Sequence, residues 1–445
     1  MLLLLVIKRA SQKLPTHHLG VKFLEIPINV KGTNNIMAKK LIGAAVFGQS
    51  GGPTSVINAS AYGVFKTALE AEEITNVYGM AHGVVGLLND DLYDIGQEDP
   101  YELSLLLNTP SSALGSCRYK INEDDLKRIH EMCEKYNIRY FFYNGGNDSM
   151  DTCNKVNDYF KKVGYECRVM GVPKTIDNDL MGTDHCPGFG SAAKYVATSI
   201  AEVHQDAYVY DTAGVTIVEI MGRNAGWLTG AAALASYSGS PPDLIYLPEI
   251  PFEMDRFVKD VGAVLNEKNK CLVAISGGAQ YADGTFVSQA TTSATDGFGH
   301  AQLGGTAARL AAVINKEFGV KVRGIELSLL QRCAAHIASQ TDIDEAFLAG
   351  KSAVEYAVEG GSGKMAGFTR ESKDGKYHCG ITFLPLDICA NTEKKIPREW
   401  ITEDGTFVTQ EFIDYVLPLI QGDNNRAQEN SLPRFANLKK VKAKI

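Results

Sequence analysis

From Lys40 onward, short apolar runs alternate with longer stretches whose apolar residues recur at helical spacing. The runs "LIGAAVF" (41–47), "IRYFFY" (138–143), "CRVMGV" (167–172), "VTIVEI" (215–220), "DLIYL" (243–247) and "CLVAIS" (271–276) predict buried strands. Most have glycine or proline just beyond them. Segments 148–163, 189–205, 224–236 and 254–268 predict helices. The alternation predicts an α/β fold of mostly parallel sheets covered by helices on both faces. In such sheets ligands sit beyond the carboxyl ends of the strands. The glycine-rich stretches "FGQSGGPTS" (47–55), "NGGNDS" (144–149), "VPKTIDND" (172–179) and "MGRNAG" (221–226) all fall at those ends.

At 445 residues the chain has room for two or three domains. Hydrophobic residues at 45% and charged residues at 22% are ordinary for a soluble globular protein. A formal net charge of −8 argues against nucleic acid or an acidic membrane as partner, so positive charge for a phosphate ligand must be local. Nine cysteines without regular spacing fit a reducing cytosol, and the absence of a Cys-x-x-Cys pair leaves a structural zinc site little support. "MLLLLVIKRA" is too short for a membrane span or an ordinary signal peptide. Residues 1–36 are expected to be a poorly ordered extension, or to precede the true start at Met37. The polar segment 422–445, basic at its end, reads as a surface tail.

In "GQSGGPTSVIN" (48–58), small residues leave backbone N–H groups free to face phosphate oxygens, and the following helix adds its positive end. No Gly-Lys-Ser/Thr follows, so this is not a Walker A loop, and a plain strand-to-helix turn remains open. "SSALGSCRYK" (111–120) places Arg118 after a small-residue turn, where a guanidinium suits bidentate phosphate binding. "PKTIDNDL" (173–180) sets Asp177 and Asp179 around Asn178, with Lys174 and Thr175 before them. Phosphoryl transfer needs a carboxylate to take a hydroxyl proton and cations around the transferring group. An Asx-rich turn is the other reading. Arg223 in "EIMGRNAG" (219–226), with Arg323 and Arg332 in "VRGIELSLLQR" (322–332), adds candidate clamps for a phosphorylated substrate. "DGFGHAQLGG" (296–305) reads as a tight connection before a helix. His185 and His300 lack a metal partner in the sequence, and Cys186 and Cys333 read as small packing residues.

The ordered set GQSGGP, LGSCR, GGNDS, PKTIDND, MGR and LLQR resembles the phosphofructokinase family, in its pyrophosphate-dependent branch, over about 37–420. The resemblance implies two Rossmann-like three-layer domains with the active site in the cleft between them. Residues 37–187 with about 331–388 would form the phosphoryl-donor domain, and 188–330 with about 389–421 the sugar-phosphate domain. It implies reversible phosphorylation of fructose 6-phosphate to the 1,6-bisphosphate, with pyrophosphate as donor and Mg²⁺ as cofactor, in a cytoplasmic homodimer or homotetramer. By motif, Asp177 would be the proton acceptor, with Lys174 and Asp148 assisting. Gly52, Arg118 and Gly146 would bind pyrophosphate, and Asn147 and Asp148 the metal. Thr175, Ile176, Asp177, Asp179, Met221, Gly222, Arg223, Gly277, Leu329, Gln331, Arg332 and Arg323 would bind the sugar phosphate, one arginine usually coming from a neighbouring subunit.

ATP-using members of the family carry Asp-Gly where this chain has Asn147 and Asp148. Asp148 would fill the place of a nucleotide's α-phosphate with negative charge, and Lys174 would stabilise the phosphate leaving group. Three departures are implied as well. Gly277 stands where the family has a sugar-binding glutamate, a loss of about 1.5–3 kcal/mol of binding. Asn147 replaces a common Asp, and Gly214 a phosphate-binding arginine of ATP users. They keep open a different sugar phosphate, such as sedoheptulose 7-phosphate, or a subunit that binds sugar phosphate without turnover. The NAD kinases share a GGD-type turn but are not expected to carry the MGR and LLQR segments.

Overall fold

The computed structural model describes residues 40–288, 304–390 and 392–444. The extension 1–36 and most of the glycine-rich stretch around His300 lie outside the described residues. Ala38–Ile445 forms one compact unit.

The strands of its two main sheets are β1 (Gly43–Gln49), β2 (Ile74–Met80), β3 (Leu92–Asp94), β4 (Ile138–Gly145), β5 (Arg168–Pro173), β6 (Gly214–Ile220), β7 (Leu244–Tyr246), β8 (Lys270–Ser276), β9 (Lys321–Glu326), β10 (Lys364–Lys373) and β11 (Lys376–Pro385). A seven-stranded sheet runs β11-β10-β5-β4-β1-β2-β3, and a four-stranded one β7-β8-β6-β9. The second is parallel throughout. In the first, only β3 and β11, one at each edge, run antiparallel to their neighbours. The first sheet thus draws its strands from 43–173 and 364–385, the second from 214–326.

Period-two alternation explains why these runs are apolar throughout. In β1, Ala44 and Val46 pack with helices Glu123–Lys135 and Asn147–Val163 on one face. Ala45 and Phe47 pack with helices Ile57–Glu70 and Gln340–Val358 on the other. In β6, Val218 and Ile220 face helices Phe189–Ala207 and Gln410–Val416. Val215 and Ile217 face helices Met254–Lys268 and Thr306–Phe318. The loops that follow β1 and β6 are therefore anchored by strands buried on both sides.

Of residues 422–444, read from sequence as a surface tail, the end at 439–443 runs along the edge of the first sheet. Lys439 and Lys440 donate their backbone N–H groups to the Glu98 carboxylate at 2.6 and 2.7 Å. Asp94 donates its N–H to Val441 O and Ala443 its own to Leu92 O, so the segment pairs with edge strand β3. An unpaired strand edge is a liability, and here a polar strap covers it.

Candidate active site

The carboxyl ends of both sheets open onto one cavity of about 980 Å³. From the first sheet come Gly51 and Gly52 after β1, Gly146, Asn147 and Asp148 after β4, and Lys174, Thr175, Ile176, Asp177 and Asp179 after β5. From the second come Met221, Gly222 and Arg223 after β6, Gly277 after β8, and Leu329, Gln331 and Arg332 after β9. Arg118 completes the expected set inside the cavity. Arg323 is not brought there. It lies on β9 opposite Thr216, well short of the strand end, with Nη1 3.6 Å from Asp206 Oδ2.

The β1 loop is shaped to hold an anion. Gly51 has φ +76°, a backbone region that glycine enters at no steric cost. Its N–H donates to Cys117 O (2.9 Å) and its carbonyl accepts from Ser116 Oγ (2.7 Å), which holds the segment carrying Arg118 alongside. A side chain at Gly52 would begin 3.1 Å from Arg332 Nη1 and 3.5 Å from Arg118 Nη2. Lys174 reaches over from β5 and donates from Nζ to Gly52 O at 2.6 Å. Three cations thus converge on two glycines, the arrangement that a phosphate group would relieve. Lys174 is 4% exposed. Burial pushes its ammonium down to about 8, Asp177 opposing and Arg118 and Arg332 adding to the shift.

Opposite stands the acid pair. Burial raises the Asp177 carboxyl, against the pull of Lys174 and Arg223. Burial, with the charges of Asp177 and Glu393, raises Asp179 to about 7. Both remain open to the cavity. Asp177 N–H donates to Thr175 Oγ1 at 3.1 Å, bracing the turn.

Asp148 sits in the first turn of helix Asn147–Val163, where the helix dipole favours an anion. Lys120 Nζ lies 3.5 Å from Asp148 Oδ1 across the mouth of the cavity. The Asn147 amide is best satisfied with its nitrogen donating to the carbonyls of Cys389 (2.8 Å) and Thr392 (3.0 Å). Its oxygen then takes the place 3.4 Å from Asp179 Oδ2 that the nitrogen would otherwise hold. Two oxygen acceptors facing each other need a proton or a cation between them, and an all-oxygen set suits a hard divalent ion.

On the second sheet, Met221 N–H donates to Gln331 Oε1 (3.1 Å), tying the Arg223 loop to the Arg332 turn. Gly222 O accepts from Ser276 Oγ (2.5 Å) and Gly278 N–H (3.1 Å). A Cβ on Gly277 would stand 2.9 Å from Glu219 Oε1, and Glu219 Oε2 is held by Ala307 N–H at 2.9 Å. The glycine therefore leaves room for a neighbouring carboxylate.

Lys120, Glu219, Glu326 and Glu393 line the cavity without having been singled out from sequence. Glu219 had a signal, a lone carboxylate in the apolar run "VTIVEI". Lys120 follows Arg118 by two residues. Glu326 and Glu393 lie in stretches with no distinguishing pattern. Elsewhere, His185 bonds to Asp184 (2.8 Å) and Glu345 (2.7 Å), with Cys379 close by. Burial disfavours its charge, but the two carboxylates outweigh burial and raise it to about 9. It is a buried ion-paired cation.

A glycine-lined cation cluster facing a buried carboxylate pair, across the carboxyl ends of two mostly parallel sheets, defines a phosphoryl-transfer site acting on a small phosphorylated substrate. The phosphofructokinase family model matches residues 44–332, and this chain belongs to that family. A pyrophosphate–fructose 6-phosphate 1-phosphotransferase of Halomonas elongata is 43% identical over 405 residues, covering 89% of this chain and 96% of that protein. The crystal structure of a pyrophosphate-dependent phosphofructokinase from Marinobacter aquaeolei superposes with a TM-score of 0.82 at 40% identity, covering 91% of this chain and 98% of that one. A sulfofructose kinase of Alkalicoccus urumqiensis is 31% identical over 374 residues, covering 84% of this chain and 95% of that protein. Among the described residues no helix is long and apolar enough to cross a membrane.

Proposed function

We propose that this chain transfers a phosphoryl group reversibly from pyrophosphate to the 1-hydroxyl of fructose 6-phosphate, in the cytoplasm. The observation that carries the reading is Lys174, buried and reaching Gly52 between Arg118 and Arg332 while Asp148 stands at the helix start across the cavity. A donor of two phosphates fits among three cations. A nucleotide's third phosphate and base would have to pass the Asp148 carboxylate and its Lys120 partner. Relatives named for pyrophosphate over most of the chain support the same donor.

Asp177 takes the proton of the attacking hydroxyl as the oxygen closes on the terminal phosphorus. Lys174 and Arg118 offset the charge on the phosphate that leaves. Arg223, with Met221 and Gly222 beside it, orients the sugar phosphate, and Arg332 spans the two ends. The donor set fits magnesium: Asn147 and Asp179 would hold it beside Asp148, and when bound it supplies charge to offset the donor's oxygens. Arg323, on exposed strand β9, would complete the sugar-phosphate site of a second copy in a homo-oligomer.

A coupled assay with Mg²⁺ and fructose 6-phosphate, comparing pyrophosphate with ATP, tests the reading. Strong ATP turnover with none from pyrophosphate would overturn it. A second reading, another sugar or sulfo-sugar substrate, is favoured by Gly277 beside Glu219 and by the sulfofructose kinase at 31% identity. A panel of sugar phosphates and sulfo-sugars at fixed pyrophosphate separates the two.

A further inference from the structure

Asp177 and Asp179 ride on a loop closed at its base, where Thr175 N–H donates to Pro187 O at 3.1 Å and Thr175 pairs with Gly188. Between the two acids lies Asn178, 0% exposed and at φ +54°, a left-handed conformation that asparagine tolerates better than most residues. Its Oδ1 accepts from Cys186 N–H at 3.0 Å, which ties the loop across its width. Its Nδ2 donates to Tyr415 Oη at 2.9 Å, a contact between residues 237 apart in the chain. The Tyr415 hydroxyl in turn donates to Asp184 O, on the far limb of the same loop, at 2.7 Å. One hydroxyl thus engages the loop at two points.

Tyr415 itself has little freedom. It belongs to helix Gln410–Val416, which packs on the second sheet. Its ring centroid lies 5.3 Å from those of both Trp227 and Trp400, and the Arg370 guanidinium sits 4.6 Å above it. A buried asparagine could be satisfied within its own loop. Here its donor goes to a clamped side chain of the element that carries the second sheet's core.

We infer that Asn178 and Tyr415 are positioning residues, whose hydrogen bond fixes the turn bearing Asp177 against helix Gln410–Val416 and so sets where the base meets the reacting hydroxyl. The inference rests on the role given to Asp177 above. Networks of this kind act as units, and a misplacement of about 1 Å in a reacting group costs up to roughly 10²-fold in rate. Asp184 keeps its bonds to Arg370 (3.2 and 3.0 Å) and His185 when the Tyr415 hydroxyl is removed, so the loop loses its central tie and not its place in the fold.

The test compares wild type with Tyr415→Phe, which keeps the ring, and Asn178→Gly, which keeps the left-handed backbone. Steady-state kinetics are read beside deuterium exchange of peptides covering 174–188. Expected is a kcat lower by about tenfold or more, KM for either substrate within about threefold, and faster exchange confined to that loop. Unchanged exchange in Tyr415→Phe overturns the tie, and faster exchange with unchanged kcat overturns positioning. Should the wild type not act on pyrophosphate and fructose 6-phosphate, the assignment of function falls by itself. The exchange comparison still decides whether the tie exists.

Discussion

Lys174 makes the sharpest test, because in the proposed reaction its charge serves the transfer while burial sets that charge against the fold. An ammonium moved from the ordinary 10.5 down to about 8 is held in place at a cost of roughly 3 kcal/mol at pH 7. Lys174→Met keeps much of the volume and removes that cost. It also strips Gly52 O of its 2.6 Å partner, a loss of about 1–3 kcal/mol. The expected net is a gain in stability between zero and about 2 kcal/mol at pH 7, combined with a kcat for pyrophosphate lower by about 10²–10³-fold. The pH dependence carries the sign. Between about 8 and 10.5 the folded protein has shed a proton that the unfolded chain keeps, so wild-type stability rises with pH through that window. The variant should lack this rise. Guanidinium unfolding near pH 7 and near pH 10, beside the coupled assay, reads all three quantities. A variant less stable than wild type at pH 7 and with the same rise at alkaline pH would refute the strained-cation account. So would a loss of kcat below tenfold.

Other outcomes follow from the same cavity. Asp148→Gly removes the carboxylate at the mouth and should raise kcat/KM for ATP by about tenfold or more, read in the same coupled assay; unchanged donor preference would refute the gate. Glu393→Gln removes a charge that raises both Asp177 and Asp179, so the acid limb of the kcat/KM profile should move to lower pH. Glu393 is exposed, so the move should be small and shrink with salt. Deleting 423–445 leaves buried Glu98 without its two N–H donors and uncovers β3. It should cost about 2–4 kcal/mol in denaturant unfolding while leaving KM for both substrates unchanged.

How much could be read in advance depended on burial. Strands β1, β4, β5, β6, β7 and β8 announce themselves because both of their faces are covered and polar residues are largely excluded. β9, "KVRGIE", is mostly exposed and reads as nothing in particular. The β10–β11 hairpin is apolar at one end and solvated at the other, so its twenty-residue pattern has no single period. Helix 224–236 was expected as one element; it is a four-residue α-turn, Trp227–Gly230, followed by a 3₁₀ stretch through Ser238. Alanine spacing does not distinguish these.

The site was legible to the extent that its residues follow strand ends closely, as the Gly52, Asp148, Lys174, Asp177 and Arg223 loops do. What spacing cannot convey is which loops face each other. The family resemblance sets Arg332 at the sugar phosphate, and only the folded chain shows its guanidinium 3.1 Å from where a side chain on Gly52 would begin. Gly277 shows the same limit from the other side. In one dimension it is a missing glutamate, a deficit of binding. In three, a Cβ there would crowd Glu219, whose carboxylate is already fastened to the start of helix Thr306–Phe318. Restoring a glutamate at 277 would therefore set two carboxylates against each other unless Glu219 let go of Ala307. The absence of a side chain at 277 and the presence of an acid at 219 are one feature of this cavity, and any account of its sugar specificity has to change both together.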